Sequence, residues 1–151
     1  MSEWKNSLML SSEKDDWRTP KELFDELNAE FHFTVDLCAD NDNHLCDKWY
    51  TKENSGFNAD LTGERVYCNP PYGRKSTADW IVKCATCNAD IVVMLIPART
   101  DTNAFHDYIY NKAEIRFIRG RLKFGGGKII DRAPFPSMVV IFRKAVLLNG
   151  E

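Results

Sequence analysis

Apolar positions recur along the chain at two different periods, and the changes of period divide it into elements. Leu23, Phe24, Leu27 and Phe31 follow one another at helical spacing, which predicts a helix with one buried face. Its start is marked by Thr19-Pro20-Lys21-Glu22. Thr19 can cap, Pro20 suits the first helical position, and Glu22 stands where a capping box places its acid. Phe33-Thr34-Val35-Asp36-Leu37 then alternates as a strand. Residues 38–64 are mostly polar, anchored by Trp49, Tyr50, Phe57 and Leu61, and predict little beyond a short strand near Trp49. Arg65-Val66-Tyr67-Cys68 reads as a short strand that stops at Asn69-Pro70-Pro71, because neither proline can donate to a sheet ladder. Ser76 with Asp79 three residues later marks a second capping-box start, and Trp80, Ile81 and Cys84 supply that helix with an apolar stripe.

Ile91-Val92-Val93-Met94-Leu95-Ile96 is an unbroken apolar run between Asp90 and Pro97, the pattern of a central strand buried on both faces. A short helix over 103–110, a strand over Ile115-Arg116-Phe117-Ile118, a turn at Gly125-Gly126-Gly127 and a last buried strand over Met138-Val139-Val140-Ile141-Phe142 follow. Strands alternating with helices predict an α/β fold with a mostly parallel sheet. The final strands, joined by short turns, are expected to add an antiparallel hairpin at the sheet edge. Residues 1–16 are polar and aperiodic and read as a flexible arm; residues 17–151 read as one domain.

Composition narrows the function classes. The 151 residues suffice for one core, and 44% hydrophobic with 28% charged residues is ordinary for a globular protein. No apolar run reaches the roughly 18 residues of a membrane helix. Met1-Ser2-Glu3-Trp4-Lys5 lacks a signal-peptide pattern, so a cytoplasmic protein without membrane partners is expected. Five irregularly spaced cysteines do not form a secreted disulfide framework. Cys84-x-x-Cys87 lacks a second pair to complete a zinc site and falls in a predicted helix, so no metal is expected. The formal net charge is −2, yet Lys112, Arg116, Arg119, Arg121, Lys123, Lys128 and Arg132 face only Glu114 and Asp131 over one stretch. Such a stretch is either a phosphate-binding surface or a solvated face.

The chemistry concentrates at Asn69-Pro70-Pro71-Tyr72, between a strand and a helix. In an open α/β sheet this is the carboxyl end of a strand, where ligands bind. Two prolines stiffen the turn and fix the directions of the Asn69 side chain and the Pro70 carbonyl. Two acceptors and the flat ring of Tyr72 suit a planar amine. Binding both N–H groups localises a lone pair otherwise delocalised into the ring, and the interaction strengthens as the nitrogen becomes cationic. Stacking on Tyr72 would supply on the order of 1–3 kcal/mol towards extruding a base.

Asn69-Pro70-Pro71-Tyr72 after an apolar strand resembles the catalytic motif of the amino-group methyltransferases, and the chain from Trp17 to Phe142 is similar to the Dam-like phage and prophage DNA N6-adenine methyltransferases. The resemblance implies a Rossmann-like fold that uses S-adenosyl-L-methionine as methyl donor and DNA as partner, in a monomer or weak homodimer, with roles such as restriction-modification. Trp17-Arg18-Thr19-Pro20 resembles the family's N-terminal cofactor segment, which implies cofactor contacts for Trp17, Thr19 and Pro20. Val35-Asp36-Leu37-Cys38-Ala39 resembles the first-strand cofactor loop, implying Asp36, Cys38 and Ala39. Asn58-Ala59-Asp60-Leu61 is similar to the segment whose acid meets the cofactor adenine, implying Asp60 and Leu61, with Asn69 completing the set. Gly120-Arg121-Leu122-Lys123-Phe124 resembles a late segment whose aromatic residue holds the flipped base, implying Phe124 beside Tyr72. Arg119, Arg121 and Lys123 are then the expected phosphate contacts. The chain departs from the pattern in one respect: its first loop, Asp36-Leu37-Cys38-Ala39-Asp40, contains no glycine. Asp40, Asp47 and Glu53 remain alternatives for the ribose-binding acid, and residues 40–58 or 119–136 for reading the target site.

Other schemes fit less well. Cys68 borders the motif, but cytosine-C5 chemistry needs a Pro-Cys loop that is absent. His32, His44 and His106 lack metal-ligand spacing, and Gly125-Gly126-Gly127-Lys128 lacks the rest of a phosphate loop. An RNA base or a protein glutamine amide poses the same chemical problem as adenine, so both stay as rival acceptors, beside a catalytically silent DNA-binding relative.

Overall fold

The computed structural model describes residues 17–124 and 132–144. The expected arm over 1–16 and the Gly125-Gly126-Gly127 turn lie outside them. Helix α1 spans Lys21–Phe31 and buries Phe24, Leu27 and Phe31, as the helical spacing predicts. It ends at His32, whose N–H still bonds to the Asn28 carbonyl and whose left-handed φ of 52° turns the chain out of the helix. Strand β1 is only Val35–Asp36, shorter than the alternation suggested. β2 covers Arg65–Cys68, helix α2 Arg74–Thr86 and β3 Ile91–Pro97, buried throughout. A π-helical turn over Phe105–Ile109 stands where a short helix was expected. β4 spans Glu114–Phe117 and β5 Ser137–Arg143. Near Trp49 the predicted strand reduces to a single bridge to Asp36.

The five strands form one sheet in the order β1-β2-β3-β5-β4. β1, β2 and β3 are parallel, while β5 runs antiparallel to both β3 and β4. The last two strands do pair antiparallel, but not through a short turn and not as an added edge hairpin. β5 inserts between β3 and β4, which leaves β4 at the edge. The reason is burial: Ser137 to Ile141 are all buried and can only sit inside the sheet, whereas Glu114 to Arg116 are half-buried and Phe117 is exposed.

Each face of the sheet carries its own core. On one, Val66, Cys68, Val92, Met94, Ile96, Met138 and Val140 meet Ile81 and Cys84 of α2 with Phe105 and Ile109 of the π-helical turn. On the other, Tyr67, Val93, Leu95, Val139 and Ile141 meet Phe24, Leu27 and Phe31 of α1. Helices on both faces explain why β3 reads as an unbroken apolar run.

Neither expected capping box forms the start of its helix. The N-cap of α1 is Pro20, and it makes no side-chain cap bond. Thr19 turns away, its hydroxyl 2.5 Å from the Tyr67 hydroxyl on β2. α2 begins at Arg74 with Gly73 as N-cap, so Ser76 lies inside its first turn. Among the described residues no helix is long and apolar enough to cross a membrane.

Candidate active site

β2 ends at Cys68, and the next four residues are held from several sides. The Asn69 amide nitrogen donates to the Trp17 carbonyl at 2.5 Å. The Tyr72 hydroxyl donates to the Asn69 amide oxygen at 2.5 Å and lies 3.2 Å from the Leu95 carbonyl of β3. Thr77 of α2 donates its hydroxyl to the Pro71 carbonyl, and the Arg99 guanidinium donates to the Tyr72 carbonyl. The Asn69 amide is therefore fixed at both ends, and its oxygen keeps a second lone pair. Burial pushes the Tyr72 hydroxyl well above its ordinary pKa, so it remains a neutral donor.

Beside Asn69 opens a cavity of about 460 Å³, within the roughly 300–1,000 Å³ range of small-molecule sites. Trp17, Thr19, Asp36, Cys38, Ala39, Asn69 and Pro71 all line it. Asp36 is its most unusual wall. The side chain is 3% exposed and accepts from the Leu45 N–H at 3.0 Å. Desolvation dominates over that bond and raises its pKa to about 6. Such a carboxylate gains most from a cationic partner brought into the same cavity.

Trp17 and Tyr72, the two partners of the Asn69 amide, belong to one aromatic cluster. Trp17 packs near-perpendicular to Phe124 and Phe135, with centroids 5.4 Å away. Tyr72 meets the same two rings at 6.0 and 5.5 Å. Tyr72 is 4% exposed, so its ring is presented to the protein's own aromatics and not to the outside.

The model of the DNA N-6-adenine-methyltransferase (Dam) family matches residues 6–147. The chain belongs to this family. A DNA N-6-adenine-methyltransferase of Haemophilus phage HP1 is 29% identical over 140 residues, covering 87% of this chain and 80% of the relative. A putative methyltransferase of Escherichia coli K12, YfdM, is 38% identical over 66 residues, covering 38% of this chain and 71% of the relative.

In this Dam-family chain some residues singled out from sequence lie away from the cavity. Pro20 opens α1 and is not part of the wall. Asp60 is exposed and spends its carboxylate on Thr62, accepting from both its hydroxyl and its N–H, which lowers its pKa. Leu61 is buried in the core. Pro70, inside the motif, is buried and is not among the residues that line the cavity. Of the three acids considered for a ribose, Asp40 lines the cavity while Asp47 and Glu53 do not. Arg119, Arg121 and Lys123 are exposed, and Phe124 is buried against Tyr72.

Residues not singled out also shape the site. Asn43, Thr51, Lys52 and Ser55 come from the polar stretch that showed no periodicity, and Trp80 comes from α2. Gly56 answers the missing loop glycine. A Cβ there would stand 2.5 Å from Leu37 Cδ1 and 3.0 Å from Tyr50 Cγ. The close approach behind the β1 loop is thus supplied from a distant segment. Cys68, the rival nucleophile, is fully buried, 3.8 Å from the Cys38 sulfur. Burial drives its thiol pKa upward, away from a reactive thiolate. Among the described residues no group of His, Cys, Asp and Glu is placed to hold a metal ion.

Proposed function

We propose that this protein transfers a methyl group from S-adenosyl-L-methionine to the N6 amine of an adenine extruded from DNA. The observation that carries the reading is the Asn69 amide, pinned by Trp17 and Tyr72 in the wall of a cavity with a buried carboxylate. The sheet order, three parallel strands and an antiparallel strand inserted before the edge, supports reading residues 17–151 as one Rossmann-like methyltransferase domain.

The cavity fits the methyl donor in size and in donor set. Trp17 and Trp80 offer aromatic walls, Asp36 a counter-charge for a cationic group, and Asp40 an exposed carboxylate for a sugar hydroxyl. When bound, the cofactor supplies an electrophilic methyl carbon. The chain's own residues supply position and electrostatics. The free lone pair of the Asn69 oxygen and the Pro70 carbonyl accept the two N6 protons. In such a transfer positive charge would grow on the N6 nitrogen, and both acceptors would bind it more strongly. One N6 proton then departs to solvent, leaving the neutral methylamine. The aromatic cluster occupies the place beside Asn69 that suits a base, so Phe124 and Phe135 must yield a face as the adenine enters.

Tritium transfer from labelled cofactor to bacterial DNA free of adenine methylation, followed by nucleoside analysis, tests the reading. N6-methyladenine is the expected product. Label on RNA or protein and none on DNA would overturn it.

A further inference from the structure

β4 and β5 do not stop pairing where the sheet ends. The Ile118 N–H bonds to the Ser137 carbonyl and the Ala133 N–H to the Leu122 carbonyl, and Lys123 bridges Arg132. Beyond the sheet the two segments bend at Arg119-Gly120, where Gly120 has a φ of 72°, and meet again in the same register as a short ribbon. One side of it, Ile118, Leu122, Phe124 and Phe135, packs into the core that contains Tyr72. The alternate residues Phe117, Arg119, Arg121 and Lys123 are all exposed, and no carboxylate occurs from Phe117 to Phe124.

Phe117 stands out on this outer side because it is 63% exposed. Its place in the sheet is defined. It pairs with Met138, which pairs with Ile96. Cys68, the last residue before Asn69, pairs with Met94. Phe117 therefore lies two residues beyond the level at which β2 gives way to the catalytic motif, on the same end of the sheet. Three interstrand spacings of roughly 4.8 Å separate β2 from β4, or about 14 Å across. That is comparable to the ~12 Å width of a DNA major groove, which admits a two-stranded ribbon. On the same face Ile96 and Met138 floor a second cavity of about 290 Å³, whose rim carries Arg74 and Lys75 from the first turn of α2. Lys75 has Asp79 4.0 Å from its ammonium, and both basic side chains are exposed.

An apolar ring among cations on one side of a ribbon matches what a polyanion with flat apolar bases presents. We infer that Phe117 is the side chain with which this protein stacks on DNA bases next to the extruded adenine, while Arg119, Arg121 and Lys123 hold the flanking phosphates. The inference rests on the methyl-transfer reading and adds the residue that offsets the lost base stacking. The exposed Phe117 ring has little to do for the fold, so replacing it tests contact with DNA.

The test compares wild type, Phe117→Ala, Phe117→Trp and Arg121→Gln on native methylation-free bacterial DNA, measuring kcat/KM over a salt series and thermal stability in parallel. Aromatic stacking is worth ~1–3 kcal/mol per base, which converts to a loss of roughly 5- to 150-fold for Phe117→Ala. Phe117→Trp is expected to stay within about threefold of wild type, since a larger ring stacks at least as well. The slope of log kcat/KM against log salt should be unchanged by Phe117→Ala and reduced by about one in Arg121→Gln. Phe117→Ala within twofold of wild type, or Phe117→Trp as poor as Phe117→Ala, or a changed slope in either Phe117 variant, overturns the inference alone. Wild type that modifies no DNA overturns the methyl-transfer reading instead.

Discussion

Replacing Asn69 with alanine separates what its side chain does for the reaction from what it does for the site. The side chain makes two bonds, to the Trp17 carbonyl and from the Tyr72 hydroxyl. The Tyr72 hydroxyl retains the Leu95 carbonyl as acceptor, so the variant strands only the Trp17 carbonyl. With about 0.5–1.5 kcal/mol net per bond, the stability loss should stay near 1–3 kcal/mol, and the protein remains folded. Catalysis suffers more. Loss of one preorganised group aimed at developing charge costs on the order of 100- to 1,000-fold in kcat. Trp17 lines the cavity and loses its anchor, so cofactor affinity should also fall, by a few-fold. Calorimetric titration of cofactor and single-turnover methyl transfer measure the two effects apart. A kcat within tenfold of wild type would refute the amide's role as acceptor for the amine. A cofactor affinity that collapses while the saturated rate is preserved would make Asn69 a wall of the cavity and nothing more.

Two further outcomes follow from the geometry. Asp36 has a folded-state pKa raised from 3.8 to about 6, so the folded protein holds this proton more tightly than the unfolded chain. Its contribution to stability is therefore lost as pH rises from about 4 to about 6, reaching about 3 kcal/mol above that window. Asp36→Asn should exceed wild type in stability at pH 7, with the gap closing towards pH 4.5 in urea titrations; a gap independent of pH would sink this account. At Gly56, alanine forces Leu37 and Tyr50 apart, and overpacking of this kind costs about 1–3 kcal/mol. The loss should show as a lower urea midpoint together with weaker cofactor binding, since Leu37 is part of the cavity wall. Unchanged values for both would mean that the loop relaxes freely.

Much of the architecture was legible where local pattern and tertiary burial agree. β3 reads directly from Ile91 to Ile96 because helices cover both faces of the sheet. The end of β2 just before Asn69 was legible because the two prolines that follow cannot donate to a sheet ladder. Thr19 was misread because its partner is Tyr67, 48 residues away, and no local rule sees that hydroxyl. The stretch from Cys38 to Glu64 was opaque for a related reason. Its order comes from single backbone bonds at long range, Asp36 to Lys48 and Tyr50, and Ala39 to Tyr50. No side-chain period records such bonds, so Asn43, Thr51 and Ser55 were not singled out. Of the residues that the family resemblance implied, Trp17, Thr19, Asp36, Cys38 and Ala39 line the cavity, while Pro20 and Asp60 stand outside its wall. The place of β5 followed from burial summed over five residues, which a count of turns does not reveal.

The partner of the Asn69 amide is a main-chain carbonyl, that of Trp17. Every amino acid brings the same oxygen, so the bond is indifferent to which residue occupies that position. Sequence drift among relatives can recolour this strip of chain while the hold on the amide persists, and a library of point substitutions there would report on the indole and never on the bond. Only a change in the course of the backbone reaches it: a deletion, an inserted residue, or a cut that lets the strip drift away. The hold on the amide is thus inherited as a path of the chain and not as a letter in it.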